Sequence, residues 1–333
     1  MHERPVAENC WELAPGLYRI LLPLPLEVPF VNAYLIRSGD AWALIDAGYH
    51  WGPSLRALGR ALKAAGVPSG GLTHLILTHR HRDHAGGAAP VASRWGGTVY
   101  LHPADSALAA PPPEALGPWL EEAGVPEATR AEIQAAWGPP LDPLPDRVEP
   151  LTPETGLQVG ELNFRIIHVP GHSPGHVMLY EPERGWLFAG DHILDHTGPN
   201  TWLLPGMAGD PLGEYLRTLE VVADLPEALV LPGHGLPWRG NPGAGAREMA
   251  ARQRQMLEFV AGLLAHRPMT LWELTSQAAP EVAEDPRLAV WALAAARAQV
   301  RHLEAQGRVQ LVREEGRPVW RALSPARAGT ERG

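Results

Sequence analysis

Short apolar runs rich in Val, Ile and Leu alternate with amphipathic stretches over about the first 240 residues, and this alternation predicts an α/β layered domain. Runs at residues 17–22, 31–36, 41–45, 74–77, 98–101, 162–169, 177–180, 186–188 and 228–231 read as strands. Between them, apolar residues at helical spacing over 55–65, 85–95 and 212–223 predict helices. Residues 103–150 break the rhythm. Pro111-Pro112-Pro113 and Gly138-Pro139-Pro140 enclose two short helical stretches, 115–122 and 127–137, so a helical insertion is expected. Excursions of this length in compact domains often serve as lids. From about residue 245 the pattern turns helix-rich, with helices over 247–264, 271–277 and 288–306. A hairpin follows, residues 309–312 facing 318–323 across Glu314-Glu315-Gly316. That order predicts a small winged-helix-like C-terminal domain, 246–333, after a catalytic domain, 1–245.

Composition narrows the class. Apolar residues are 45% and charged residues 20% of the 333, which is globular composition, and the length suits about two domains. No apolar run reaches the roughly 18 residues needed to span a bilayer. The opening Met1-His2-Glu3-Arg4-Pro5 lacks a signal-like basic and apolar region, so no membrane association and a cytoplasmic location are expected. The single cysteine, Cys10, excludes intramolecular disulfides and Cys-based zinc sites, so nitrogen and oxygen must hold any bound metal. Residues 246–333 carry 13 Arg against 10 acidic residues, a charge of +3, whereas residues 1–245 carry 15 basic and 27 acidic residues, −12. A body that acidic is a poor non-specific surface for nucleic acid.

The candidate chemistry sits where predicted strands end. The run 74–77 leads into Thr78-His79-Arg80-His81-Arg82-Asp83-His84, three imidazoles and a carboxylate within six residues. No helical or strand face gathers all four side chains, but a tight loop around an ion does. The glycines of Ala85-Gly86-Gly87 allow the close backbone approach such a loop needs. Three further strands end in Pro170-Gly171-His172, Ala189-Gly190-Asp191 and Pro232-Gly233-His234. Ends of neighbouring strands in an α/β sheet converge on one edge. His79, His81, Asp83, His84, His172, Asp191 and His234 are therefore seven candidate ligands. They are too many for one tetrahedral ion and, with a shared carboxylate, suit two ions of zinc or a similar first-row metal.

In order and spacing these residues, preceded by Asp46 in Leu44-Ile45-Asp46-Ala47-Gly48, resemble the five spaced motifs of the metallo-β-lactamase superfamily over about residues 15–240. The resemblance implies an αββα sandwich with a two-metal site at the shared edge of its two sheets. It also implies that His79, His81 and His172 hold one ion, Asp83, His84 and His234 the other, and that Asp191 bridges them. Zn2+ is the expected metal, with Mn2+ or Fe as alternatives. Superfamily β-lactamases generally carry Cys or Ser where this chain has Asp191, which argues against antibiotic hydrolysis.

The reading that follows is a hydrolase in which a hydroxide bridging two metals attacks an ester, thioester or lactone of a small molecule. Asp83 binds metal and orients the hydroxide, and Asp46 fixes a liganding histidine ring. An endoribonuclease-like phosphodiesterase acting on single-stranded RNA is the alternative, suggested by the C-terminal layout, and an iron-dependent sulfur dioxygenase is a third. A homodimer is also compatible with the tail. Among other residues, His176 is expected to pack under the site, and His192 and His196 to contact substrate or the strand-end surface. His50, Trp51 and Trp202 are candidate groove residues. Arg297, Arg301 and Arg308 form either a phosphate-gripping stripe or a solvated or dimer-forming face.

Overall fold

The computed structural model describes residues 3–323 apart from 27, 110, 139–140, 195–200 and 284. Two compact units divide the chain, one made of residues 1–110, 140–199 and 214–250, the other of 111–139, 200–213 and 251–333. Among the described residues no helix is long and apolar enough to cross a membrane.

The first unit opens with five antiparallel strands, β1 (Arg4–Ala7), β2 (Cys10–Ala14), β3 (Leu17–Pro23), β4 (Phe30–Ser38) and β5 (Ala41–Ile45). Helix α1 (Gly52–Ala65) crosses over to β6 (Leu72–Ile76), which runs parallel to β5. The short α2 (Arg82–Ala85) and α3 (Ala88–Trp95) lead to β7 (Gly96–Leu101), followed by α4 (Pro103–Ser106). After α5 (Pro113–Glu122) and α6 (Glu127–Ala136), both in the second unit, β8 (Glu149–Pro150) completes an eight-stranded sheet in the order β1 to β8. The second sheet is built from β9 (Leu157–Val159), β10 (Leu162–His168), β11 (Val177–Glu181) and β12 (Trp186–Gly190). Helix α7 (Pro211–Ala223) then leads to β13 (Ala228–Pro232), which runs parallel to β12, and β14 (Trp238–Gly240) forms the edge.

Residue patterning explains the layers. Alternate side chains of β4 and β5 face opposite cores: Tyr34, Ile36, Ala43 and Ile45 join Phe164, Ile166, Leu179 and Phe188 between the sheets. Ala33, Leu35, Trp42 and Leu44 pack on the other face with Ala57, Leu58, Ala61 and Leu62 of α1 and Val91 and Trp95 of α3. Those α1 residues recur at helical spacing, and Gly66, at φ 92, ends the helix by donating its N–H to Leu62 and Lys63 carbonyls. Fully burying each such Leu or Ile stabilises by roughly 1.5–3 kcal/mol before entropy is counted. The expected αββα sandwich is therefore present. The stretch read as one helix over 85–95 is two, broken at Gly86-Gly87, where a Cβ on Gly87 would lie 2.3 Å from the Ala47 carbonyl oxygen.

In the second unit α5 packs on α6, and α6 on α10 (Pro286–Ala305), so residues 111–139 are companions of the C-terminal helices. Between α8 (Pro242–His266) and α10 lie α9 (Leu271–Ala278) and a 3-10 turn (Pro280–Ala283). A reciprocal capping box of Thr270 and Glu273 starts α9. The antiparallel pair β15 (Val309–Glu314) and β16 (Arg317–Ala322) is the expected hairpin. The arginine stripe is not a free face. Arg297 donates to the Leu203 and Leu204 carbonyls at 3.2 and 3.0 Å, Arg301 pairs with Glu304, and Arg308 pairs with Glu258 at 2.7 Å. Gly307, at φ 68, ends the helical run before Arg308, so the three do not share one helix.

Candidate metal centre

Strand ends of both sheets deliver the site. β5 ends at Asp46, a non-glycine residue at φ 61, a conformation that costs of order 1–3 kcal/mol and persists only when its surroundings fix it. Three hydrogen bonds do so. Asp46 Oδ1 accepts the Thr78 backbone N–H at 2.8 Å, its carboxylate accepts the Thr78 hydroxyl at 2.9 Å, and Oδ2 accepts the His84 Nδ1–H at 2.7 Å. Because the Thr78 hydroxyl spends its proton on Asp46, its oxygen accepts from His79 Nδ1, 3.0 Å away. One buried carboxylate thus orients two rings, His84 directly and His79 through Thr78, and leaves Nε2 of each facing inward.

The second sheet supplies the rest. His172 follows β10, Asp191 follows β12, and His234 follows β13. His234 donates Nδ1–H to the Phe30 carbonyl at 2.9 Å, so its Nε2, hydrogen-bonded to Asp83 Oδ2 at 3.1 Å, is the atom turned toward the other candidate ligands. The Pro-Gly-His loop is clamped by β4. Asn32 Nδ2 donates to the Pro232 and Gly235 carbonyls, each at 2.9 Å, and Tyr34 Oη donates to Pro232 at 2.8 Å. Gly233 is needed there, since a Cβ would lie 2.2 Å from Asp191 Oδ1 and 2.6 Å from His84 Cε1.

All seven predicted residues converge in one place. Three groups, His79/His81/His172, His79/His84/Asp191 and Asp83/His84/His234, each present ligand atoms within 4.8 Å of one another. His81 Nδ1 and His172 Nε2 stand 2.9 Å apart, and Asp191 reaches both sides, with Oδ2 3.5 Å from His172 and Oδ1 3.3 Å from His84. His79, His84, His172 and Asp191 are buried, whereas His81, Asp83 and His234 are half-buried and form the open side.

The donor set fits divalent cations. His79 Nε2, His84 Nε2 and Asp191 Oδ1 are buried with no hydrogen-bond partner among the described residues, an arrangement costing about 1–3 kcal/mol per group unless something else binds them. Electrostatics splits the cluster. Burial, reinforced by neighbouring imidazoles, holds His79 well below its ordinary pKa and brings His81 down to about 3. Burial opposes charge on His234 and His84 too, but Asp191 and Asp83 overcome it, raising His234 to about 8 and His84 well above its usual value. Burial alone would raise Asp83 and Asp191, yet adjacent His84 and His234 hold both below the ordinary carboxylate range.

Other expectations resolve individually. His176 lies under the site, its Nε2 accepting the Asp191 N–H at 3.0 Å. His192 is fully buried against Tyr215, ring centroids 5.1 Å apart, and so is no surface group. His196 lies outside the described residues. His50 Nδ1 approaches Asp142 at 3.3 Å, Trp51 is exposed, and Trp202 packs on Trp291 at 4.6 Å. Asn32, Tyr34, Thr78 and Asp105 support the site without a local motif to reveal them. An isolated Asn and Tyr on β4 read as ordinary strand residues, and only the tertiary pairing shows their partners 198–203 residues away.

The profile of the metallo-beta-lactamase superfamily matches residues 26–234. The Bacillus subtilis (strain 168) protein described as "Probable metallo-hydrolase YqjP" is 30% identical over 282 residues, covering 80% of this chain and 85% of that protein. A "Beta-lactamase-like protein 2 homolog" of Drosophila melanogaster is 28% identical over 226 residues, 67% of this chain and 65% of that protein. Among solved structures, a metallo-beta-lactamase family protein from Thermus thermophilus superposes with TM-score 0.79 and 27% identity over 94% of this chain and 100% of its own. A beta-lactamase domain protein from Burkholderia ambifaria, 22% identical, shares the fold with TM-score 0.84 over 96% of each chain.

Proposed function

The chain belongs to the metallo-beta-lactamase superfamily and is a metal-dependent hydrolase, and we propose that it uses two divalent ions, Zn2+ foremost, to cleave an ester, thioester or lactone bond of a small molecule. The convergence of three ligand groups within 4.8 Å, with buried ligand atoms of His79, His84 and Asp191 making no hydrogen bond, carries this reading. In it His79, His81 and His172 hold one ion, Asp83, His84 and His234 the other, and Asp191 is shared. When bound, such ions supply Lewis acidity and acidify water toward a pKa of about 7.

The chain's own residues supply order. Asp46 and Phe30 fix the tautomers of His84 and His234, so their Nε2 atoms present lone pairs without rotating. Asp83, kept anionic and half-exposed, can accept a hydrogen bond from the attacking water and aim it at the substrate carbon. The half-buried His81 and His234 flank the same opening.

Two observations favour a small molecule over RNA. Residues 1–245 carry −12, and Arg297, Arg301 and Arg308 are already bound to carbonyls or carboxylates. We read the C-terminal helices and hairpin as a winged-helix-like module for packing or self-association, and the chain as a cytoplasmic enzyme. Zinc- or manganese-loaded protein assayed in parallel on a thioester and a bis-phosphodiester chromogen tests the reading. Thioester turnover that Asp83→Ala lowers by about 100- to 1,000-fold is expected, and phosphodiester turnover alone would overturn the substrate class.

A further inference from the structure

Asp105 lies in α4, one turn beyond the end of β7, and its side chain is wholly inaccessible to solvent. Its carboxylate nonetheless accepts three hydrogen bonds. Oδ2 accepts the Arg80 backbone N–H at 2.7 Å and the Ser173 hydroxyl at 2.7 Å, and Oδ1 accepts the Gly175 N–H at 2.6 Å. Arg80 sits between His79 and His81, and Ser173 directly follows His172. These three hydrogen bonds therefore end on the two loops that bear the all-imidazole ligand group, and none of them reaches Asp83, His84 or His234.

The backbone is shaped to admit it. A Cβ on Gly175 would lie 2.6 Å from the Asp105 nitrogen and 2.8 Å from its Cβ, so only glycine lets the His172 loop close over this side chain. Across the joint, His81 Nδ1 and His172 Nε2 stand 2.9 Å apart although they come from different sheets. Their separation depends on how the two loops are fastened to each other; the Val177 N–H donates to the Thr78 carbonyl at 2.9 Å, and Asp105 adds the three side-chain bonds that reach Arg80, Ser173 and Gly175.

We propose that Asp105 is a positioning residue that sets the spacing of His79, His81 and His172 and thereby the metal affinity of that half of the centre, with no comparable influence on the Asp83/His84/His234 half. This rests on the two-metal reading above. It acts through Arg80, Ser173 and Gly175 and touches no reacting atom.

The test is zinc titration of the metal-stripped full chain in competition with a chromophoric chelator, with His81→Ala and His234→Ala marking which binding event belongs to which half. Asp105→Asn keeps the volume but turns an NH2 toward at least one N–H or O–H donor. It should weaken the event that His81→Ala removes by about 10- to 100-fold, the range for groups that orient metal ligands, and leave the event that His234→Ala removes within about twofold. Ser173→Ala, which removes one of the three bonds, should shift the same event by less and serves as the test if Asp105→Asn does not fold. Wild-type affinities in both variants, or equal weakening of both events in step with a fall in Tm, would overturn the inference while leaving the two-metal reading intact. Wild-type protein that takes up no zinc would overturn that reading and the inference with it.

Discussion

The His79/His81/His172 group and the Asp83/His84/His234 group share Asp191 yet are opposite in electrical character. In the first, burial and mutual repulsion keep His79 and His81 neutral, with His81 at about 3. In the second, burial is overcome by carboxylates, so His84 is held well above its ordinary value and His234 rises to about 8. The first half is a set of buried imidazoles, His81 and His172 2.9 Å apart, positioned by scaffolding. The second is an internally compensated cluster in which protons stand where cations would. Each half leans on one buried carboxylate, Asp105 for the first and Asp46 chiefly for the second.

That contrast can be broken at the second half most severely. Asp83→Ala removes a candidate ligand and the anion beside His234, and hydrolysis should fall about 100- to 1,000-fold in kcat/KM, the range for losing a group that stabilises charge at a reacting centre. Gly233→Ala attacks the seam, because its Cβ would collide with Asp191 Oδ1 and His84. A loss of roughly 1–3 kcal/mol of stability, read as a lower Tm, should accompany weaker binding of both ions. Asp46→Asn should weaken zinc in the second half by about 10- to 100-fold, measured by chelator competition, with a smaller effect on the first through Thr78 and His79.

The smallest expected effect is a difference in pH dependence between the two halves. His234 at about 8 carries a proton near pH 7 in the metal-free chain, and binding must displace it. Zinc affinity of the second half should therefore rise with pH, by about tenfold per unit per displaced proton, and less steeply above about pH 8, where His234 is already neutral and only His84, held well above its ordinary value, still has a proton to lose. The first half, whose His81 is already neutral, should show no such slope between pH 6 and 8. Calorimetry in buffers of differing protonation enthalpy counts the protons released, and His234→Ala should lower that count.

Legibility of these features in the sequence follows the range of the interactions that make them. The His79–His84 loop and the strand-end His172, Asp191 and His234 could be read locally, because glycine, proline and ligand-type residues stand together after apolar runs. Strand 41–45 was legible to its ends, and the C-terminal hairpin nearly so, since alternation and a Glu-Gly turn mark them. β1 and β2 were not, because Arg4–Ala7 and Cys10–Ala14 are short and half-exposed and lack a run of buried apolar residues. Asp105 was invisible for another reason. Its partners lie 25, 68 and 70 residues away, and nothing in Pro103-Ala104-Asp105-Ser106 distinguishes it from a surface helical turn. The arginine stripe stayed open between two readings because helical spacing cannot show that Arg308 lies past a left-handed glycine, nor that the acceptors of Arg297 and Arg308 lie 93–94 and 50 residues away.

Two half-sites of different chemistry should take up two ions. Metal analysis of zinc-equilibrated protein, wild type beside His81→Ala and His234→Ala, tests it most directly. Two zinc ions per wild-type chain and one in each variant are expected. A single ion in the wild type, lost alike in both variants, would contradict it.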